Sequence, residues 1–297
     1  MIETKSHRTA RETLLAMGNL FFSGKQTLPM IRLRLNGLIA GPTGAGKSFL
    51  AESVARQLRA KYFRVTRGDW IPTGCKDKRS TVFQILDQVL SYDRVVLHLD
   101  ELDKFTQLQD REWSASIGAD LWNILDKKFQ IAEYLHETTF KEGEKITEQY
   151  VARRIRLGLW ILGSGTWQEV FANSRGRPSI GFSCGRAEAS DVGLAEIVRS
   201  QGISPELLLR FSEPVFLLYP TPEETSQLLE STGITALASQ VGATISPEQL
   251  DWNLGGMRVL ENLATRLVIE LYKSKQPTGP TGPSSNDADS KIEQSPY

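Results

Sequence analysis

The stretch LNGLIAGPTGAGKSFLAESVARQL, residues 35–58, decides the fold of this chain. It begins with a short apolar run, passes through a turn rich in glycine, and ends in a segment with helical spacing. A single lysine, Lys47, follows the last glycine of the turn. The apolar run predicts a strand, and the helical spacing predicts a helix. The turn between them, with nearly bare backbone beside one ammonium group, predicts a ligand-binding loop.

The turn matches G-x-x-x-x-G-K-[ST], the pattern of a phosphate-binding loop. Such a loop needs a concave row of backbone N–H groups around an oxyanion, and side chains at the glycine positions would block the approach. Lys47 can neutralise the β- and γ-phosphates, Ser48 can ligate Mg²⁺, and the following helix directs its N-terminal dipole at the phosphates. The residues predicted to bind the nucleotide are Gly41, Pro42, Thr43, Gly44, Ala45, Gly46, Lys47 and Ser48.

The segment RVVLHLDELDK, residues 94–104, is an apolar run that ends in two carboxylates, Asp100 and Glu101. The carboxyl ends of parallel strands form the ligand-binding edge of open α/β folds. We predict that Asp100 helps to bind the nucleotide by holding Mg²⁺, and that Glu101 polarises the attacking water as a general base. An isolated pair of this kind would ordinarily be helix N-cap acids, but the phosphate loop favours hydrolysis.

Composition sets limits on the partners. The chain has 297 residues, of which 40% are hydrophobic and 24% charged, and Lys+Arg and Asp+Glu both number 35, so any attraction to nucleic acid or membrane must be local. Cys75 and Cys184 lie far apart, which excludes a disulfide framework or zinc finger and suits a reducing compartment. No apolar run reaches the roughly 18 residues of a membrane span, and no signal-peptide pattern occurs. We expect a cytoplasmic protein without membrane contact.

Short apolar runs alternate with helical patterns over much of the chain, which is typical of a parallel α/β sheet. The runs predicted as strands are 36–40, 62–66, 94–99, 159–163 and 214–219, and a helix is predicted over 9–22. The predicted organisation is an N-terminal helical segment (1–30), an α/β nucleotide-binding subdomain (31–220) with an insertion at 130–156, a helical lid (221–274) and a disordered Pro/Gly/Ser-rich tail (275–297).

These motifs resemble those of the AAA+ ATPases, and within them the branch that contains ClpX and HslU. GPTGAGKSFLAESVARQL and LHLDELDKF are similar to that branch's phosphate loop and IDEIDK stretch. LWILGSGTW resembles its fourth strand and sensor-1 turn, GISPELLLRF its arginine-finger segment, and GGMRVLENL its sensor-2 motif. The resemblance covers about residues 10–272. It implies a P-loop NTPase (AAA+) fold, with a parallel five-stranded sheet and a small C-terminal α-helical lid, that uses ATP and Mg²⁺.

The resemblance also implies roles for single residues. Ser164 becomes sensor 1, Arg258 becomes sensor 2, and Arg210 becomes the arginine finger, so that the catalytic set is Glu101, Arg210, Ser164 and Arg258. A finger stabilises charge on a neighbour's γ-phosphate, so Arg210 implies a ring or helical homo-oligomer, which could be a hexamer. Arg258 would couple the lid angle to the nucleotide state. For each arginine the ordinary alternative is a solvated surface residue.

Two further segments bear on the partner. SIGFS resembles the family's IGF loop at Ile180, Gly181 and Phe182, which implies docking of a peptidase, although an ordinary surface turn is the alternative. The segment GDWIPTGCKDKRS stands where ClpX-type unfoldases carry an aromatic pore loop. It presents instead the basic residues Lys76, Lys78 and Arg79, with Trp70 too early to replace the aromatic. A basic channel suits a phosphate backbone, whereas a solvated turn is the alternative.

Three functions remain open from the sequence. The motifs favour a chaperone-like ATPase that remodels or unfolds a protein partner. The basic pore loop favours an AAA+ switch or motor that encircles DNA or RNA. A small-molecule kinase shares the phosphate loop, but Arg210, Arg258 and Glu101 weigh against it.

Overall fold

The structure, a computed structural model, describes residues 3–24, 33, 35–73, 78–106, 112–140, 146–167, 207, 209–212, 214–250, 252 and 256–275. Several predicted features lie outside these residues. They are Lys76, both cysteines, the Ile180–Phe182 loop and, apart from Lys275, the tail predicted as disordered. Among the described residues, no helix combines the length and the apolar character that crossing a membrane requires.

Five parallel strands form one sheet, which confirms the predicted fold class. The strands are β1 (Gly37–Ala40), β2 (Lys61–Val65), β3 (Val95–Leu99), β4 (Leu159–Gly165) and β5 (Val215–Phe216), in the spatial order β2-β3-β4-β1-β5. All five lie within or next to the runs predicted as strands. The fifth is shorter than its run because β5, at the sheet edge, pairs with β1 over only two residues.

The register aligns the carboxyl ends of the central strands. Leu99 at the end of β3 lies opposite Gly163 in β4, and Ala40 at the end of β1 lies opposite Gly165. The residues that follow β1 and β3 therefore meet at one edge of the sheet. This edge is where open α/β folds bind ligands.

Helices cover both faces of the sheet, which explains why its strands read as nearly continuous apolar runs. The helices described before β5 are α1 (Lys5–Phe22), α2 (Lys47–Gln57), α3 (Thr81–Ser91), α4 (Leu102–Thr106), α5 (Glu112–Leu125), α6 (Ile131–Glu137) and α7 (Glu148–Gly158). Alternate residues of β4 enter different cores: Trp160 and Leu162 pack with α1 and α2, whereas Ile161 packs with α3, α5 and α7. This alternation is the two-residue period of a strand.

The segment 130–156 was expected to be a partly helical insertion, and its status as an insertion stays a prediction. It does lie between β3 and β4 in the chain, but it contributes Tyr134, Val151 and Ile155 to the main core, where each is nearly or fully buried. The apolar residues of α7 recur at intervals of three to four, so one stripe is buried while the charged remainder faces outward. Its polar composition reflects an amphipathic helix.

A separate core unites the C-terminal helices α8 (Pro222–Ser231), α9 (Ile234–Gln240) and α10 (Arg258–Lys275). Leu228, Trp252 and Leu263 are buried in it. The first of these helices begins at a capping box, in which Thr221 and Glu224 satisfy each other's backbone N–H groups. These helices follow β5 as the predicted lid would, although the exact domain limits stay a prediction. At the other end of the chain, α1 extends the helix predicted over 9–22 by four residues.

Candidate nucleotide-binding site

The predicted phosphate loop lies between the end of β1 and the start of α2. Gly44 and Gly46 have φ angles of +75° and +83°, a conformation that side chains other than glycine rarely adopt. Gly46 is the N-cap residue of α2 and offers no side-chain cap to the helix. The first backbone N–H groups of α2 therefore have no side-chain acceptor at this cap, as an anion-binding helix terminus requires.

Lys47 is held inside this loop. Its side chain is buried, with 8% of the residue exposed, and Nζ donates hydrogen bonds of 2.8 Å to the carbonyl oxygens of Gly41 and Pro42. Burial lowers the pKa of Lys47 to about 8, and the nearby Asp100 carboxylate opposes that change. The ammonium group is therefore still mostly protonated at pH 7 and can attract phosphate oxygens.

Ser48 and Asp100 are brought together although 52 positions separate them. Ser48 Oγ donates to Asp100 Oδ2 at 2.7 Å, and Arg64 Nε donates to the same oxygen at 2.8 Å. Burial alone would raise the pKa of Asp100, but His98 and the hydrogen bonds from Ser164, Ser48 and Arg64 lower it to about 2. Asp100 is therefore ionised at any ordinary pH.

This pair of oxygen ligands fits magnesium. Mg²⁺ prefers hard oxygen donors and is usually held by one or two protein groups together with water and substrate phosphates. Ser48 Oγ and Asp100 Oδ2 offer such a pair beside the phosphate loop. Within the described residues, no group of three or more His, Cys, Asp or Glu side chains is arranged to hold a metal ion by itself.

Glu101 follows Asp100 in a strained conformation. Its φ angle is +58°, which is uncommon for a residue with a side chain and costs about 1 to 3 kcal/mol. The backbone N–H of Glu101 donates to Asp100 Oδ1 at 3.0 Å, and the carboxylate forms an ion pair with Lys104 at 2.7 Å. The side chain is 40% exposed. A carboxylate that water can reach is thus fixed next to the proposed magnesium ligand.

Ser164, predicted as sensor 1, contacts Asp100 directly. It is fully buried in β4 and donates from Oγ to Asp100 Oδ1 at 2.5 Å. Two residues behind it were not predicted: His98 Nε2 lies 2.8 Å from Ser164 Oγ, and Tyr62 Oη lies 2.7 Å from His98 Nδ1. Burial lowers the pKa of His98 to about 4. The sequence signal that could have indicated this contact is the single histidine in the otherwise apolar run RVVLHL.

Arg258, predicted as sensor 2, lies near the phosphate loop, in the group of helices predicted to be the lid. It is the first residue of α10 and lines a cavity of about 430 Å³ together with Lys47 and Ser48. The adjacent Met257 N–H donates to the carbonyl oxygen of Gly44 at 2.8 Å, so the lid contacts the loop directly. The start of α1 closes another side of the cavity.

The contact of α1 with the loop was also missed. His7 Nε2 lies 2.7 Å from the carbonyl oxygen of Ala45, and His7 Nδ1 lies 2.6 Å from Thr4 Oγ1. Thr4 also caps α1 by accepting from the His7 backbone N–H. Since His7 and Ala45 are 38 positions apart, no local motif indicates this bond. It fixes α1 against the phosphate loop.

Arg210, predicted as the arginine finger, has partners within its own chain. Its guanidinium donates to both carboxylate oxygens of Asp126, at 2.7 Å and 3.1 Å, and lies 4.5 Å from the ring centre of Trp122. These contacts place Arg210 beside the end of α5. Its action on a neighbouring subunit stays a prediction.

The predicted basic pore loop is described only in part. Lys78 is exposed, but Arg79 makes a two-bond ion pair with Asp87 and lies over the rings of Phe83 and Tyr134. The Asp87 carboxylate raises the pKa of Arg79 further. These contacts favour a structural role for Arg79, so the basic loop, still a prediction, depends on Lys76 and Lys78.

Trp70 cannot serve as a gripping aromatic in this conformation. It is 7% exposed, packs against Phe105, and donates from Nε1 to Asp120 at 3.3 Å. Asp120 also accepts two hydrogen bonds from Thr73. Trp70 therefore belongs to the core that supports the start of the loop.

Comparisons with known proteins found matches to parts of this chain. Residues 37–140 match the family model described as ATPase family associated with various cellular activities (AAA). Vacuolar protein sorting-associated protein 4 of Dictyostelium discoideum is 28% identical over 79 residues, which are 27% of this chain and 18% of that protein. The solved FIGL-1 AAA domain in complex with ADP is 16% identical, with a TM-score of 0.45, over 76% of this chain and 56% of that chain.

The match thus spans less than a fifth of the length of the curated relative. The matched segment contains both the phosphate loop and the Asp100–Glu101 pair, which the structure brings to one edge of a parallel five-stranded sheet. The chain therefore has the P-loop NTPase fold, and its residues 37–140 are similar to the AAA family of ATPases.

Proposed function

We propose that this protein hydrolyses Mg²⁺-ATP and uses the energy to remodel or unfold a protein partner or assembly. The observation that carries the ATPase activity is the 2.7 Å hydrogen bond between Ser48 and Asp100. It joins the two predicted magnesium ligands beside the buried Lys47. A protein that only packed a glycine-rich turn would have no need of this arrangement.

Each residue of the site has a chemical task that its position supports. Lys47 and the N-terminus of α2 would neutralise the phosphates, while Ser48 and Asp100 would hold Mg²⁺. When bound, Mg²⁺ would neutralise charge that develops on the β- and γ-phosphate oxygens. Glu101 would orient and polarise the attacking water, since its carboxylate is accessible and its backbone is tied to Asp100.

The remaining assignments concern assembly. Arg210 would reach the γ-phosphate of a neighbouring subunit in a ring or helical homo-oligomer, and Arg258 would report the nucleotide state to the lid. The motifs that resemble the ClpX and HslU branch support a remodelling function. The curated relative is named for vacuolar protein sorting, which also favours a protein partner.

The test of the ATPase activity is steady-state hydrolysis of ATP with Mg²⁺. We expect turnover by the wild type and none by Glu101→Gln, which should still bind ATP because the amide keeps the shape of the carboxylate without its basicity. Glu52→Gln is the matched control, because Glu52 is an exposed residue of α2 that pairs with Arg56. Wild-type turnover by Glu101→Gln would exclude Glu101 as the catalytic carboxylate.

A second measurement separates the classes of partner. The ATPase rate is compared with unfolded protein, single-stranded DNA or duplex DNA added, each at two salt concentrations. Stimulation by unfolded protein supports the proposal. Stimulation by nucleic acid that fades with salt would favour the alternative motor that encircles DNA or RNA, because phosphate contacts depend strongly on ionic strength.

A further inference from the structure

A row of buried hydrogen bonds continues from the proposed site into the sheet. It runs from Tyr62 on β2, through His98 on β3 and Ser164 on β4, to the carboxylate of Asp100. The three distances are 2.7, 2.8 and 2.5 Å, and both His98 and Ser164 are fully buried. The function proposed above assigns Asp100 to Mg²⁺ but gives no task to Tyr62 or His98.

The chemistry of the groups fixes the direction of this row. An ionised carboxylate only accepts, so Ser164 Oγ–H donates to Asp100 and its oxygen is free to accept from His98 Nε2–H. A neutral imidazole carries one N–H, so Nδ1 is the acceptor and takes the hydrogen bond of the Tyr62 hydroxyl. Every donor in the row thus has an acceptor within it, and the row ends on Asp100 Oδ1. The Tyr62 hydroxyl also lies 3.5 Å from the carbonyl oxygen of Ser48, a longer contact than its 2.7 Å bond to His98.

Packing alone does not explain a histidine at this place. The other residues of β3 are Val95, Val96, Leu97 and Leu99, all fully buried and apolar. A fully buried imidazole in such a strand is costly unless both nitrogens find partners, which here they do. The side chain thus gives up apolar packing and gains two directed hydrogen bonds.

The two oxygens of Asp100 show what the row could control. Oδ2 accepts from Ser48 and Arg64, whereas Oδ1 accepts from Ser164 and from the backbone N–H of Glu101. The bond from Ser164 to Oδ1 is therefore one of four that fix the rotation of the carboxylate about its own axis. That rotation determines where Oδ2, next to Ser48, is directed.

We infer that Tyr62 and His98 are positioning residues, which hold Ser164 and through it orient the Asp100 carboxylate for Mg²⁺. This inference rests on the proposed function, since it assigns Asp100 to the metal. Without His98, the Ser164 hydroxyl could turn away from Oδ1, and the carboxylate would lose one of the bonds that set its angle. Hydrogen-bond partners of metal ligands commonly change metal affinity or activity by about 10-fold to 100-fold when they are mutated.

The experiment uses Mn²⁺ as a spectroscopic probe for the magnesium position. Electron paramagnetic resonance measures Mn²⁺ affinity in the presence of a non-hydrolysable ATP analogue, and ATPase assays separately give kcat, KM and the Mg²⁺ concentration for half-maximal rate. The variants are Tyr62→Phe, His98→Leu and His98→Gln. Tyr150→Phe is the control, because it removes the hydroxyl of an exposed tyrosine on α7.

We expect Tyr62→Phe and His98→Leu to weaken Mn²⁺ binding and to lower kcat by about tenfold or more. Metal-free binding of the analogue should be unchanged, and Tyr150→Phe should match the wild type. His98→Gln should recover part of the loss, because an amide can accept from Tyr62 and donate to Ser164. Thermal unfolding identifies any variant that fails to fold. If His98→Leu fails to fold, Tyr62→Phe still tests the inference, because it removes only one oxygen atom.

Wild-type Mn²⁺ affinity in Tyr62→Phe, or a His98→Gln variant no better than His98→Leu, would overturn the inference. Failure of the proposed function has a different signature. If the wild type binds Mn²⁺ with the analogue but hydrolyses no ATP, hydrolysis is refuted while the Mn²⁺ affinities still decide the positioning roles. If the wild type binds neither Mn²⁺ nor the ATP analogue, both the proposed ATPase function and the positioning roles are refuted.

Discussion

Among single residues, Lys47 is the one on which we expect ATP affinity to depend most. It is a buried cation that donates hydrogen bonds to two carbonyl oxygens of its own loop. Lys47→Ala should reduce ATP affinity by about tenfold to 100-fold, the usual value of hydrogen bonds that involve a charged group. Isothermal titration calorimetry measures this change. Lys273→Ala, at an exposed position on α10, is the control, and an unchanged affinity in Lys47→Ala would contradict the phosphate-loop assignment.

His7 gives the fold a defined dependence on pH. Burial lowers the pKa of His7 below its ordinary value of 6.5, although the Ala45 carbonyl opposes this. Between the folded and unfolded pKa values, the unfolded chain binds more protons. The contribution of neutral His7 to stability is therefore complete above about pH 6.5 and is lost as the pH falls towards the folded pKa.

We therefore expect the wild type to lose more unfolding free energy than His7→Gln between pH 7.5 and pH 5.5. Urea denaturation at the two pH values measures the difference. The pKa of His98 is lowered in the same direction, but His98 is present in both proteins and its effect cancels. The exposed His136 provides the control His136→Gln, which should behave as the wild type does. Equal losses in the wild type and His7→Gln would refute the prediction.

The predicted lid also approaches the phosphate loop closely at Gly256. Gly256 has a φ angle of +57°, and a Cβ atom there would lie 2.5 Å from the carbonyl carbon of Gly44 and 2.8 Å from the Thr43 carbonyl oxygen. Both neighbours are backbone and cannot move aside cheaply. Gly242 has a similar φ of +71° but has open space around it. Alanine substitutions at the two positions therefore differ in one respect: both introduce the strain of a left-handed residue, but only the one at Gly256 clashes with the loop.

Gly256→Ala should therefore displace the start of α10 from the loop and weaken ATP binding, whereas Gly242→Ala should cost only the backbone strain, about 1 to 2 kcal/mol of stability. Fluorescence anisotropy with a labelled ATP analogue measures affinity, and urea denaturation measures stability. If Gly256→Ala binds the analogue as tightly as Gly242→Ala, the contact between lid and loop does not matter for binding.

At the scale of elements, what could be predicted depended on how local the signal was. The central strands were predictable because they are buried on both faces, so runs such as RVVLHL are almost wholly apolar. The contribution of α7 to the core was not predictable from the sequence. Only a narrow stripe containing Val151 and Ile155 is buried, and charged residues dominate the composition of the helix.

The same contrast holds within the site. Lys47 and Ser48 belong to a contiguous motif, whereas Tyr62 and His98 meet only because β2 and β3 are neighbours in the sheet. A sequence shows that a polar residue interrupts an apolar strand. It does not show which residue of the next strand will face it.

For the whole molecule, the open question is whether Arg210 acts within its own chain or across an interface. In the structure its guanidinium is paired with Asp126 and packs on Trp122. If Arg210 has only a structural role, loss of Arg210 and loss of Asp126 should reduce hydrolysis to a similar extent. An arginine finger would make Arg210 essential for hydrolysis and Asp126 dispensable, because the finger needs its charge and not its resting partner.

The final prediction tests this with variants that complement each other. Arg210→Ala should lower the hydrolysis rate by about 10³-fold to 10⁵-fold while leaving ATP affinity nearly intact, and Asp126→Asn should keep most of the activity. Mixed with Glu101→Gln, the Arg210→Ala subunits supply intact Glu101 to interfaces where the partner supplies intact Arg210. Those interfaces should regain partial activity, measured as ATP turnover over a series of mixing ratios. No recovery at any ratio, with mixed assembly verified by light scattering and cross-linking, would place Arg210 within its own subunit and remove the main argument for a catalytic oligomer.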